Sequence, residues 1–201
     1  MTNDPMRMNT RYLKNLGLVT VITAFSLILF QGSFTLTNIL YGLSTGLLVV
    51  FIREAAQQTI AQWMTAYIDI NISKQGLTLT LLTGIFSYIT QIPFILILPF
   101  YNEYEMKAHE KWGITGYAIW AKSEYWFAGV NILTLTLLST ILLQINKTIA
   151  LLTLTFTLSQ LLPLKKTLIE GETDGAKILY WSGFIYLILL GTNTILLAST
   201  I

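Results

Sequence analysis

Long apolar runs recur along the chain and are separated by shorter polar segments. A helix needs about 20 mostly apolar residues to cross the hydrocarbon core of a bilayer. Six runs approach that length, at 13–30, 36–56, 77–99, 126–143, 149–164 and 178–198. The pattern therefore predicts an all-α, polytopic membrane bundle of about six transmembrane helices, in which residues 1–201 form a single domain.

Leucine and threonine alternate within some of these runs, as at 77–81 and 133–137. Alternation by itself is typical of half-buried strands. A transmembrane barrel strand, however, needs only about 9–11 residues before a turn, and these runs continue well beyond that length. Threonine is also tolerated in membrane helices, because its hydroxyl can bond the carbonyl one turn earlier. Helices are therefore the better interpretation.

Composition supports a membrane location and excludes several other classes. The chain is 54% hydrophobic and 11% charged, which is far more apolar than an ordinary soluble domain. Its partners are therefore expected to be membrane lipids and other integral membrane proteins. Cysteine is absent, which excludes disulfides, thiolate metal sites and iron–sulfur clusters. The net charge of +2 is too small and too scattered to indicate nucleic-acid binding.

Charge near the first run suggests an orientation. Arg7, Arg11 and Lys14 precede that run, whereas the connection at 31–35 carries no charge. The positive-inside rule then places the N-terminus in the cytoplasm of a multi-pass cell-membrane protein. Six spans would put both termini on that same side. They would also put the lysines of the third and fifth connections outside, which is opposite to the rule.

The largest polar connection, 100–125, is dense in aromatic residues. Tyr and Trp sit well at the level of lipid headgroups, so this connection is expected to be an interfacial loop lying on the membrane surface. The alternative is a docking surface for another protein. The aromatic residues assigned to such a surface are Tyr101, Tyr104, Trp112, Trp120 and Trp126.

A charged pentad, Arg-Glu-Ala-Ala-Gln at 53–57, closes the second apolar run. Considered alone, it has a simple structural interpretation: the long Arg53 side chain reaches the interface and Glu54 ends the helix. Three further segments, in the same order along the chain, give the pentad a second interpretation. They are Tyr-Ile-Thr-Gln-Ile-Pro at 88–93, Ala-Gly-Val-Asn at 128–131, and Gln-Leu-Leu-Pro at 160–163 followed by Asp-Gly at 174–175.

Together these segments resemble the motif order of the site-2 protease family of intramembrane zinc metalloproteases, in particular its compact archaeal and bacterial six-span forms. The family carries HExxH at the end of a span, where this chain has 53–57. The later segments are similar to its F-x-x-x-P-G, A-G-P-x-x-N and N-x-x-P-x-x-P-L-D-G motifs. The resemblance implies a zinc site in which the residues at positions 53, 57 and 174 are the metal ligands and Glu54 is the general base.

The zinc ligands of that site are degenerate here. Arg53 is permanently cationic and cannot ligate a metal, and Gln57 offers at most a weak carbonyl donor. Asp174 is the remaining candidate ligand, and His109 is the only histidine of the chain. We therefore predict a pseudoprotease with no metal, no cofactor and no peptidase activity. Arg53 is expected to supply the missing positive charge by pairing with Asp174 or Glu54.

Two classes of function remain open. The first is a non-catalytic accessory or structural subunit of a larger membrane complex, which the small polar mass of the chain favours. The second is a membrane enzyme or transporter that handles protons on Glu54, Asp174 and Asp69, because intramembrane carboxylates are functional candidates by default. A divergent but active intramembrane metalloprotease is a variant of this second class.

Overall fold

Seven helices and two strands build the described part of the chain. The computed structural model describes residues 10–63, 66–106, 109–165 and 169–200, without the side chains of residues 67, 105–106 and 109–123. The elements are α1 (Thr10–Phe30), α2 (Leu36–Trp63), β1 (Ala66–Ile72), α3 (Lys74–Thr90), β2 (Phe100–Met106), α4 (His109–Ile145), α5 (Lys147–Leu161), α6 (Asp174–Trp181) and α7 (Gly183–Thr200).

Four stretches of helix are long and apolar enough to cross a membrane. They are α1, α2, residues 124–145 of α4, and α7. The prediction of a mostly helical chain with helices able to span a membrane is confirmed. The predicted count of six spans is not confirmed, because α3 has 17 residues and α5 has 15, which is fewer than the about 20 that a span needs.

α1 and α2 pack closely because two glycines remove side chains from their interface. Gly42 and Gly46 are four residues apart and both face α1. A Cβ atom at Gly46 would lie 2.7 Å from the Cα atom of Ala24. Small residues at this spacing let two helix backbones approach closely in a membrane. Close packing is important there because lipid tails are as apolar as the side chains, so the hydrophobic effect does not drive helices together.

The apolar run at 77–99, predicted as one span, is a helix followed by an extended return. α3 ends at Thr90, and Gln91 adopts a left-handed conformation with φ of 59°. The extended segment, defined as residues 91–99, then runs back along α3 until the Ser73 N–H bonds the Pro99 carbonyl at 3.1 Å. Nine extended residues cover about 30 Å, roughly the thickness of the hydrocarbon core. The run therefore begins and ends on the same side of the bundle.

Side chains of neighbouring helices satisfy the backbone of the extended segment. The Leu96 and Leu98 N–H groups donate to the hydroxyls of Thr83 and Thr80 on α3, at 3.0 and 2.8 Å. Gln160 on α5 donates to a carbonyl of the same segment at 2.9 Å. Non-helical backbone is tolerated at membrane depth only where protein or water satisfies it. Thr80 and Thr83 of α3 thus support the extended segment.

The bundle has two distinguishable ends. The site end holds a chain of hydrogen bonds that runs from Tyr12 to Glu54, from Glu54 to Arg53 and from Arg53 to Asp174. At the far end, Gln91 donates to the carbonyl of Gly32 in the α1–α2 turn, and Leu197 of α7 lies near the end of α1. α1 begins at the site end and α7 finishes at the far end. The first described helix therefore begins, and the last one finishes, at opposite ends of the bundle, because 77–99 traverses the bundle twice.

A two-stranded antiparallel sheet at the site end corrects the all-α description. β1 and β2 pair antiparallel, with Ala66 opposite Met106 and Ile72 opposite Phe100. One face of this sheet, which includes Ile70, is buried in the core. The predicted interfacial loop at 100–125 consequently consists of β2 and the first turns of α4.

The last predicted span, 178–198, is also interrupted. α6 ends at Trp181, and the extended Ser182 separates it from α7. α6 begins with Asp174 after the N-cap Thr173, whose hydroxyl accepts from the Ala176 N–H at 3.3 Å. The break lets the short α6 hold Asp174 at the site end while α7 crosses to the far end.

Candidate functional site

Three polar residues of α2 lie in the protein interior at the site end. Arg53, Glu54 and Gln57 expose only 1%, 4% and 0% of their surface. Arg53 and Gln57 are separated by one helical turn, and the same face carries the core residues Val49 and Val50. Burial of this kind is costly unless every charge finds a partner.

Arg53 bridges two carboxylates. Its Nη1 lies 2.5 Å from Glu54 Oε1, and its Nη2 lies 3.3 Å from Asp174 Oδ2. Its guanidinium carbon also lies 4.4 Å from the centroid of the Phe100 ring, within the range of a cation–π contact. The predicted pairing of Arg53 with Glu54 or Asp174 is confirmed, and it involves both acids.

Close packing of α6 against α5 positions Asp174. A Cβ atom at Gly175 would collide with the Leu161 carbonyl, so glycine is required after the aspartate. The Asn131 amide on α4 donates to the carboxylate oxygen of Asp174 that Arg53 also contacts. Asp174 is thus held by groups from α2 and α4, at the start of its own helix where a negative charge is favoured.

Asn102 joins the network from β2 and was not predicted. Its amide nitrogen lies 3.0 Å from Glu54 Oε1 and also donates to Gln57 Oε1. The alternation of β2 explains its position, because Phe100, Asn102 and Tyr104 are all buried. That period of two in the sequence was the available signal, but it was assigned to a surface loop.

α1 contributes a tyrosine to the same carboxylate. The Tyr12 hydroxyl donates to Glu54 Oε2 at 3.2 Å and accepts from Gln58 Nε2 at 3.1 Å. Glu54 therefore accepts hydrogen bonds from α1, α2 and β2. Glu54 is thereby tied to three elements of the site end.

A second buried cation, Lys177, lies one turn after Asp174. Its Nζ donates to the Asn102 carbonyl at 3.3 Å and lies 4.5 Å from the centroid of the Tyr104 ring. Burial lowers the pKa of Lys177, and the Asp174 carboxylate opposes that effect. Burial likewise raises the pKa of Tyr104, whose ring stacks on Phe127 at 4.4 Å.

Several polar atoms around the ion pairs have no hydrogen-bond partner among the described residues. All belong to buried side chains, and they include both donors and acceptors. They are Arg53 Nε, Gln57 Nε2, Asn102 Oδ1, Tyr104 OH and Asn131 Oδ1. Polar groups this deep are normally bonded to protein or to buried water. The network therefore has the hydrogen-bonding capacity to hold ordered water.

These residues do not fit the zinc site that the resemblance implies. A catalytic zinc needs three protein ligands and one open position. Here the Arg53 cation lies between Glu54 and Asp174, and within the described ranges no three His, Cys, Asp or Glu side chains form a group that could hold a metal ion. What the arrangement can do is neutralise two buried acids and tie α2, α6 and β2 together.

The aromatic residues assigned to an interaction surface have different environments. Tyr104 is buried in the network, so it is not available to a partner. Tyr101 packs under Gly171, where a Cβ atom would meet its ring. Trp126 is 55% exposed. Trp112 and Trp120 lie in α4, but their side chains are outside the described residues.

Asp69, the third carboxylate considered for proton handling, lies away from the ion pairs. It is on β1 opposite Glu103, and the neighbouring Asn71 donates to Glu103 Oε2 at 2.7 Å. Its neighbours Ile68 and Ile70 point into the core, so the strand alternation turns Asp69 to the other face.

Comparison of the chain with family models, with curated proteins and with solved structures finds no match.

Proposed function

We propose that this chain is a non-catalytic, site-2-protease-like membrane protein that acts as an accessory or structural subunit of a larger membrane protein complex. The observation that carries the proposal is the position of Arg53. It occupies the first ligand position of the degenerate motif, and it meets both the general-base position, Glu54, and the third ligand position, Asp174. A fixed cation then does the electrostatic work of a metal without offering an open coordination site.

The long sequence separation of these contacts supports the family assignment. Arg53 and Asp174 are 121 positions apart, and Asn131, from a third motif-like segment, bonds the same aspartate. The resemblance rested on the order of short motifs. Three of the four segments contribute residues to one buried point, as a shared site would require, whereas the segment at 88–93 lies at the far end.

α7 supports a role in binding other membrane proteins. Its apolar window is 17% buried, against 39% for each of the other three candidate spans. Exposed apolar side chains on it include Phe184, Leu187 and Ile195. We expect α7 to contact the partner, because it leaves the largest share of its surface free.

The lysine and arginine distribution supports a cytoplasmic site end. Among the described residues, every Lys and Arg except Lys147 lies at the site end of its element or in a segment that joins elements there. Because 77–99 returns to its starting side, the segments at 100–125 and 162–177 fall on the same side as residue 10. The positive-inside rule then favours a cytoplasmic N-terminus without the conflict found for six spans.

Proton handling on Glu54 and Asp174 is the second candidate function. The unpaired polar atoms around the ion pairs favour it, since waters bound there would connect the two carboxylates. This candidate predicts loss of a transport or catalytic activity in Glu54→Gln, whereas a purely structural network predicts a loss of stability in that variant.

Purification from native membranes in mild detergent tests the proposal. We expect partner proteins to co-migrate in stoichiometric amounts and zinc to be absent by metal analysis of the same sample. A solitary protein carrying stoichiometric metal would contradict the proposal.

A matched pair of variants tests the role of α7 in that purification. Leu187 on α7 and Leu137 on α4 are both 64% exposed. We expect Leu187→Trp to lose the partner and Leu137→Trp to retain it. Equal retention by both variants would exclude α7 as the contact.

A further inference from the structure

A cavity of about 670 Å³ opens near the far end of the bundle. It lies between the end of α1, the start of α2, the extended segment, α5 and the end of α7. Its walls are mostly apolar and include Phe30, Leu152 and Leu197. Pro93 and Phe94, also in its lining, are exposed, so the cavity reaches the surface of the protein beside them.

One hydrogen-bond acceptor in the lining lacks a donor. The Gln31 amide nitrogen donates to the carbonyls of Leu27 and Asn38, at 3.1 and 3.0 Å. Its Oε1 atom is buried and has no partner among the described residues. A buried acceptor without a donor is uncommon in folded proteins and calls for a ligand or a water. A ligand of this cavity would therefore combine an apolar body with a hydrogen-bond donor near Gln31.

Charge restricts the ligand further. The lining contains no Lys, Arg, Asp or Glu, so it offers no counter-ion to a phosphate or an ammonium group. A volume of 670 Å³ is within the range of small-molecule sites, about 300–1,000 Å³. A transmembrane helix of a partner fits less well, because it is about 10 Å wide and uses its backbone donors internally.

We propose that this cavity binds one acyl chain of a neutral, hydroxyl-bearing glycerolipid, with the lipid hydroxyl donating to Gln31 Oε1. Gln31 follows the last residue of α1 at the α1–α2 turn, where a membrane-spanning protein meets the headgroup level. The chain of the lipid then lies along α5 and the extended segment. This site is separate from the ion-pair network, and the proposal does not depend on the pseudoprotease assignment.

Native mass spectrometry of delipidated protein in detergent tests the proposal. Monoolein and methyl oleate serve as probes, because they carry the same acyl chain but only monoolein has hydroxyl donors. We expect one monoolein per chain, bound at least about tenfold more tightly than methyl oleate. The absence of a monoolein adduct, or equal binding of both probes, would overturn the proposal.

Two threonine variants locate the site. Thr155 lines the cavity, whereas Thr140 is exposed on α4, and each hydroxyl bonds the carbonyl four residues earlier at 2.9 Å. Thr155→Phe should fill the cavity and reduce monoolein binding at least about tenfold, while Thr140→Phe should leave it unchanged. Equal binding by the two variants would place the lipid elsewhere.

A cross-linking measurement on unmodified protein provides a check that needs no folded variant. Monoacylglycerol carrying a diazirine in its chain should attach to residues 93–96 or 148–162. Attachment confined to the outer face of α7 would contradict the proposed site.

Discussion

Arg53 is the residue on which the buried network depends. It is 1% exposed and holds Glu54 of its own helix, α2, together with Asp174 of α6. An arginine can bridge two carboxylates because its planar guanidinium presents several donors in fixed directions. Removing it would leave two buried acids, both without their cation.

We expect Arg53→Leu to lower the free energy of unfolding by about 3–5 kcal/mol, the typical effect of removing one partner of a buried ion pair. The stability of Arg53→Lys should lie between those of the unmodified protein and Arg53→Leu, because an ammonium group keeps the charge but cannot span both acids. Thermal unfolding in detergent measures the change, with the exposed Lys14→Leu as the control. Unchanged stability in Arg53→Leu would exclude a structural role for the pairs.

Lys177 should give the protein a measurable pH dependence. Its pKa is lower in the folded protein than its ordinary value of 10.5, so the unfolded chain binds more protons between those two values. Stability should therefore rise with pH as the solution approaches pH 10. Above that pH, ionisation of Tyr104 in the unfolded chain opposes the rise, because burial raises the pKa of Tyr104 in the folded protein. Lys177→Met should flatten this rise, whereas the exposed Lys74→Met should not. Identical pH profiles of the two variants would contradict the assignment.

At the scale of elements, the extended segment depends on threonine side chains of α3. Thr80 accepts from the Leu98 N–H, whereas Thr78 is exposed and its hydroxyl bonds only within its own helix. We expect Thr80→Val to cost about 1–3 kcal/mol, since a buried N–H would lose its acceptor. Thr78→Val should change stability by less than about 0.5 kcal/mol. Chemical unfolding of both variants measures the difference, and equal effects would mean that the hydroxyl of Thr80 does not support the segment.

Apolar length identified the helices but could not identify the extended return. The 17-residue α3 followed by the nine-residue extended segment gives the same uninterrupted apolar run as one long span. The available signal was Pro93 within the run, with Pro99 at its end, because proline disfavours a continuous helix. β1 was also overlooked, although Ile68, Ile70 and Ile72 alternate with Asp69 and Asn71.

The site was more accessible to sequence reasoning than its surroundings. Arg53, Glu54 and Asp174 were predicted from the order of motif-like segments, and their pairing was predicted because an isolated charge at membrane depth is costly. Asn102 and Lys177 were not predicted. Their burial follows from the pairing of β1 with β2 and from the break after Trp181, and a hydrophobicity pattern contains neither.

At the scale of the whole molecule, the double crossing of 77–99 changes the topology. The absence of cysteine makes single-cysteine labelling direct. We expect Ser33→Cys and Thr200→Cys to react with an impermeant maleimide in intact cells, because both lie at the far end. Lys165→Cys should react only after permeabilisation. Labelling of Lys165→Cys in intact cells together with protection of Thr200→Cys would contradict the proposed orientation.

Zinc binding by Arg53→His/Gln57→His tests the central claim most directly. The double substitution restores histidines at positions i and i+4 around Glu54, near the Asp174 carboxylate. If Arg53 occupies a metalloprotease site, the purified variant should bind one zinc per chain while the unmodified protein binds none. A folded variant, eluting as the unmodified protein does on size exclusion, that takes up no zinc would contradict the account.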